Sequence, residues 1–140
     1  MEEIKGKWLT YPSESTGSGR TIIVTTRTDI DKFRDNPRFR YRITVGLPYR
    51  EQTDGMPGDK ESELLEQITA ALADTFDKDP VAVLTEISTG DGLREWVFYT
   101  LSLHIFQRKL NEALAPFPLL PLQFDAEEDP EWKSYTSVEE

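Results

Sequence analysis

The spacing of apolar and polar residues changes period several times along the chain, and each change marks an element. Arg38-Phe-Arg-Tyr-Arg-Ile-Thr-Val45 alternates strictly, with Phe39, Tyr41, Ile43 and Val45 on one side and Arg38, Arg40, Arg42 and Thr44 on the other. That alternation predicts a strand with one buried face. Helical spacing follows: Leu64, Leu65, Ile68, Ala71, Leu72, Thr75 and Phe76 fall on one side of a helix that Asp59 caps and Asp79-Pro80 stops. Strands return over Val81 to Ser88 and Leu93 to Leu101, joined at Thr89-Gly-Asp-Gly92, where Gly90 and Gly92 are expected to supply the positive φ of a hairpin turn. A second helix starts at the N-cap Ser102, turns Leu103, Phe106, Leu110, Ala113 and Leu114 inward, and ends at Pro116 and Pro118. Leu119 to Phe124 reads as the last strand. Upstream, Trp8 to Tyr11 and Thr21 to Thr28 form a predicted hairpin around the turn-rich Pro12 to Gly19. Asp29 to Pro37 is a polar connection and Pro48 to Gly58 a loop.

From Arg38 onward the order is strand, helix, strand, strand, helix, strand. It predicts an α+β fold: a ferredoxin-like split βαβ antiparallel sheet with two helices on one face, extended by the N-terminal β-hairpin. Phe39, Tyr41, Ile43, Val45, Trp96 and Phe98 are expected beneath the helices. The three arginines are expected on the open face with Glu86, Glu95 and Tyr99. One domain over residues 1–140 is expected, with an ordered core over about 7–132 and an acidic tail over 125–140.

Composition narrows the chemistry. The 140 residues include no cysteine, which excludes disulfides, thiol catalysis and cysteine-ligated metals. No segment approaches the roughly 20 apolar residues of a membrane helix, and Met-Glu-Glu-Ile-Lys-Gly-Lys-Trp8 has no signal-like apolar stretch. A cytoplasmic protein is the expectation. The formal net charge is −10, unevenly spread: Asp125 to Glu140 carries a net −6, and Arg20 to Arg50 a net +5. Such a chain repels nucleic acid as a whole while keeping a local basic segment.

Candidate chemistry is sparse. His104 is the sole histidine and has no nucleophile elbow near it. Asp77/Asp79 and Asp125/Glu127/Glu128/Asp129 are carboxylate groups without the glycine and alternation of a calcium loop, so neither a metal nor a cofactor is expected. No catalytic residue stands out. Arg38, Arg40 and Arg42 are the sharpest feature. Their first reading is a cross-strand ladder with Glu86 and Glu95, in which each pair is worth roughly 0.2–1 kcal/mol. A protein-binding surface and an anion or nucleic-acid site are the alternatives. Ferredoxin-like RNA binders stack bases on aromatics of the open face, and here Phe39 and Tyr41 are expected on the other one. Trp132 and Tyr135 follow the acidic run; they either fold back onto the domain or anchor a partner.

Trp8-Leu-Thr-Tyr11, the hairpin Thr89-Gly-Asp-Gly-Leu-Arg-Glu-Trp-Val-Phe-Tyr99 and the closing Glu128-Asp-Pro-Glu-Trp-Lys-Ser-Tyr135 together resemble the bacterial family catalogued as domain of unknown function 695. Some members are joined to a domain resembling the ribonuclease E inhibitor, which implies regulation through protein contacts. The resemblance brings no catalytic residues. The leading expectation is a non-enzymatic protein-interaction module. Next come an anion or nucleic-acid binder using Arg38, Arg40 and Arg42, and then a carboxylate-based enzyme.

Overall fold

The structure is a computed structural model, and it describes residues 6–15, 18–78 and 81–135. In chain order the elements are β1 (Trp8–Glu14), β2 (Thr21–Arg27), a single helical turn α1 (Asp31–Arg34), β3 (Tyr41–Pro48), α2 (Asp59–Lys78), β4 (Ala82–Gly90), β5 (Leu93–Thr100), α3 (Leu103–Leu114) and β6 (Gln123–Glu128). All strands join one six-stranded sheet in the order β1-β2-β4-β5-β3-β6, and every pairing is antiparallel. The fold is α+β, an open antiparallel sheet with two long helices. No helix among the described residues is long and apolar enough to cross a membrane.

The main core lies between the sheet and the two helices. Ile43, Val45 and Leu47 from β3, Leu84 and Ile87 from β4, and Trp96 and Phe98 from β5 meet Leu65, Ile68, Leu72 and Phe76 of α2 and Phe106 and Leu110 of α3. The predicted helical faces are thus the faces that bury. Phe76 stacks on Phe106, and both rings meet Phe98 at centroid distances near 5 Å. Ser102 caps α3, its hydroxyl accepting the Ile105 N–H at 3.3 Å. At α2, Gly58 stands in the capping position, because its carbonyl accepts the Ser62 N–H. Asp59 is the first helical residue instead of the expected cap.

The β4–β5 hairpin closes through Asp91 and Gly92, whose φ values are 55° and 78°. Both central residues are left-handed, the two-residue turn that matches strand twist. A side chain on Gly92 would run into the Glu51 carboxylate. The hairpin is not regular throughout: a bulge at Thr85 shifts its register between Leu84 and Glu86.

Three strands are bounded differently from the sequence expectation by three residues or more. β1 runs on to Glu14, through Pro12 and Ser13, which composition placed in a turn. β3 starts at Tyr41, not Arg38. Asn36 forms a turn, its side chain accepting the Arg38 N–H and its carbonyl the Phe39 N–H. Released from the alternation, Phe39 packs on the sheet face opposite the helices with Ile30, Val83, Tyr99 and Trp132. The last strand is displaced by four residues, to Gln123–Glu128. Pro118 and Pro121 interrupt the apolar segment with residues that cannot donate to a ladder. The acidic run pairs with β3 instead, because an edge strand exposed along its whole length tolerates charge.

Candidate interaction surface

The three arginines do not share one strand. Arg38 is exposed in the turn before β3, Arg40 is exposed just ahead of the strand, and Arg42 lies within it. Their observed ion-pair partners come from β6. Arg40 Nη2 lies 3.2 Å from Glu128 Oε2, and Arg42 Nη1 lies 3.7 Å from Glu127 Oε1. The first pair is exposed and worth little. The second follows directly from register, since Arg42 stands opposite Glu127 on one side and Tyr99 on the other.

Glu86 is on this face too, half-buried. Burial raises its carboxyl above the ordinary range; the Arg42 charge pulls it back, and Glu95 adds to the rise. Glu86 is thus a neighbour of Arg42, while Glu95 stands opposite Gly46, and the ion pairs of Arg40 and Arg42 fall to the acidic run instead of the expected ladder with Glu86 and Glu95. Carboxylates from β4 and β6, Glu86 and Glu127, act on Arg42, which makes this face unattractive to a polyanion.

The segment from Asp129 to Tyr135 folds across the same face as a latch. The Asp129 carboxylate accepts the N–H groups of Lys133 and Ser134 at 2.8 and 2.9 Å and the Tyr99 hydroxyl at 2.7 Å. Burial alone would raise its pKa. The Ser134 N–H, the Tyr99 hydroxyl and the Lys133 N–H together hold it below the ordinary value, with help from Arg42. The tyrosine responds in the opposite sense: burial, then the Asp129 bond, push the Tyr99 phenol far up. Trp132, 1 % exposed, stacks on Tyr99 with centroids 3.9 Å apart and donates its indole N–H to the Phe39 carbonyl at 2.8 Å. Tyr135 meets Trp132 edge-on and donates its hydroxyl to the Arg27 carbonyl at 2.6 Å. Both aromatics make internal contacts here, and Trp132 presents almost no surface outward.

A buried polar network under α2 has no counterpart in the sequence reading. Arg94 is 6 % exposed. Its Nη1 donates to Thr69 Oγ1 at 3.1 Å, the Trp96 indole donates to the same oxygen at 2.9 Å, and Thr69 donates to the Leu65 carbonyl at 2.9 Å. Arg94 Nη2 reaches Glu66 at 3.5 Å, and the guanidinium lies 5.8 Å from the Trp96 ring centroid. The available signal was Arg94 sharing strand parity with Trp96 and Phe98, which puts it on the helix side.

The sheet's two edges are unlike each other. In an antiparallel ladder, directly opposed residues alternate between bonded and non-bonded pairs. Thr28 donates its N–H to the Lys7 carbonyl, so on β1 residues Leu9, Tyr11 and Ser13 bond inward while Trp8, Thr10, Pro12 and Glu14 face out. Pro12 thus occupies an outward position, where its missing N–H costs nothing and its ring obstructs a further strand. Asp129 donates to the Arg40 carbonyl, so on β6 residues Gln123, Asp125 and Glu127 bond inward. The N–H and C=O groups of Phe124, Ala126 and Glu128 face outward. No proline stands in β6, and among the described residues it pairs with β3 alone. Phe124 is 59 % exposed, and Leu119, in the segment leading to it, is fully exposed.

Elsewhere the described residues offer little chemistry. His104 is exposed on the first turn of α3. Asp79 lies outside the described residues. No group of three or more His, Asp or Glu side chains among the described residues could hold a metal ion.

Comparison with known proteins returns one relation. No curated protein and no solved structure matches the chain. The model of a family of unknown function, DUF695, matches residues 7–138, a span that takes in the sheet, both long helices and the Asp129-to-Tyr135 latch. The chain belongs to the family of unknown function DUF695.

Proposed function

We propose that this protein is a non-enzymatic protein-interaction module of the cytoplasm, and that the outer edge of β6 is its docking surface. The observation that carries the reading is the contrast between the edges. Pro12 blocks β1, whereas β6 has three outward residues whose backbone groups meet no strand among the described residues, beside exposed Phe124 and Leu119. Open edges invite strand addition, and natural sheets ordinarily guard them. The strand order β4-β5-β3-β6, with α2 and α3 as crossovers, supports reading this part as a ferredoxin-like split βαβ unit extended by the β1–β2 hairpin.

Ala126→Pro tests the reading. The Ala126 N–H points away from β3, so proline there removes an outward donor and leaves the β3 ladder intact. Wild type and variant, matched by circular dichroism, are cross-linked in native lysate and their partners identified. Partners lost selectively with Ala126→Pro support the reading; an identical set from both proteins overturns it.

A further inference from the structure

Building on that reading, we propose that the occupant of the β6 edge is an extended basic segment of another protein, added as a seventh strand. Its Lys or Arg residues would alternate with apolar ones. The argument starts from the two faces of β6. Asp125 and Glu127 stand opposite Thr44 and Arg42, on the face away from the helices. Phe124, Ala126 and Glu128 stand opposite Val45, Ile43 and Tyr41, on the helix side. An added strand continues both faces, because paired residues share a face.

On the first face it meets two carboxylates. Glu127 is partly compensated by Arg42, and Asp125 enters no ion pair among the described residues. Cationic side chains are the complement there. On the second face the added strand meets the 59 % exposed ring of Phe124 and the methyl of Ala126, which call for apolar side chains, and at its end Glu128, which Arg40 already compensates. Alternation of basic and apolar residues is thus the pattern that satisfies both faces at once.

A second copy of this chain fits poorly. Two-fold pairing of β6 with itself centred on Phe124 avoids opposed carboxylates but matches only Gln123 to Asp125 within the strand. Centred on Ala126, it sets Asp125 against Glu127, twice. Centred on Asp125 or Glu127, it sets that residue against its own copy. Like charges directly opposed destabilise a strand pair. The molecule's net charge of −10 also draws a basic partner from a distance and repels another copy.

Fluorescence polarisation of the full chain with three labelled peptides tests the inference: alternating Lys/Val, the same peptide with its central Val replaced by Pro, and alternating Glu/Val. Binding of the Lys/Val peptide is expected to weaken by about tenfold or more on adding the central Pro, and by as much in Ala126→Pro. Asp125→Lys, which keeps the edge but reverses its charge, should weaken it comparably, and the Glu/Val peptide should not bind. Equal binding of the Pro-interrupted peptide, or unchanged binding by Ala126→Pro, would reduce the effect to general charge attraction and overturn the inference. A dimer in sedimentation that Ala126→Pro dissociates would overturn it in favour of a second copy. If lysate partners depend on Ala126 while no Lys/Val peptide binds, the docking edge stands and the basic strand falls. If those partners are indifferent to Ala126, the docking edge itself falls.

Discussion

The Thr69 hydroxyl is a single group on which three hydrogen bonds converge, tying α2 to β5. It accepts from Arg94 of β5 and from the Trp96 indole while donating to its own helix, so all its hydrogen-bonding capacity is used. Removing it leaves two buried donors without an acceptor, and each such loss costs roughly 1–3 kcal/mol. Thr69→Val should therefore lower unfolding stability by about 2–3 kcal/mol, while Thr69→Ser, which keeps the oxygen, costs under about 1 kcal/mol. Equal losses in urea melts of the two variants would contradict this account. Glu86 offers the opposite case, a charge the fold disfavours. Its folded pKa lies above 4.5, chiefly from burial, so the folded state holds the proton more tightly than the unfolded chain. The stability this lends is complete below 4.5 and is lost as pH rises through the folded value. Glu86→Gln should then gain on wild type between about pH 4 and about pH 7, with the difference growing as pH rises. Denaturation curves at both ends that differ by the same amount would refute that.

At the scale of elements, the latch and β6 act on one face from two directions. The latch covers Tyr99, Val83, Ile30 and Phe39, apolar surface that would otherwise face water on a sheet already buried on its other side. Trp132 reaches its seat with φ of 56°, a left-handed conformation costing about 1–2 kcal/mol for a residue with a side chain. Stacking on Tyr99 and the bond to the Phe39 carbonyl offset that cost. Trp132→Ala should lose about 3–5 kcal/mol, as large aromatic deletions in cores do. Trp132→Phe retains the stack and loses the N–H bond, for about 1 kcal/mol plus some packing. Thermal melts in which both variants match wild type would show that the latch contributes nothing to stability. β6, by contrast, buries almost nothing: all its residues are exposed. Its place is set by the ladder to β3 and by Pro48, whose missing N–H falls on the β6 side of β3 just past Gly46, where the pairing ends.

Across the whole molecule, one side of the sheet is a packed core and the other a half-covered surface, and the two edges have opposite fates. Ala126→Pro should leave stability within about 0.5 kcal/mol of wild type, since the change touches only an outward N–H. Much of this architecture was legible along the chain. The helical faces of α2 and α3, the place of the Thr89-to-Gly92 turn, the Ser102 cap and the placing of Trp96 and Phe98 beneath the helices all follow from period and local chemistry, which act over a few residues; that Asp91 as well as Gly92 takes the left-handed conformation there does not. Arg38 to Arg42 and Leu119 to Glu128 did not read correctly, and for one reason. Alternation says which residues share a face only while the strand lasts, and where a strand begins or ends depends on what its neighbours supply. Asn36 and the Trp132 indole draw Phe39 out of the pattern. Arg40 and Arg42 find their counter-charges in an acidic run more than 80 residues away, and only the folded sheet places it beside them. Nor could the sequence say which backbone groups of β6 face outward. That depends on the phase of the ladder with β3, so the surface proposed for docking is a property of tertiary pairing alone.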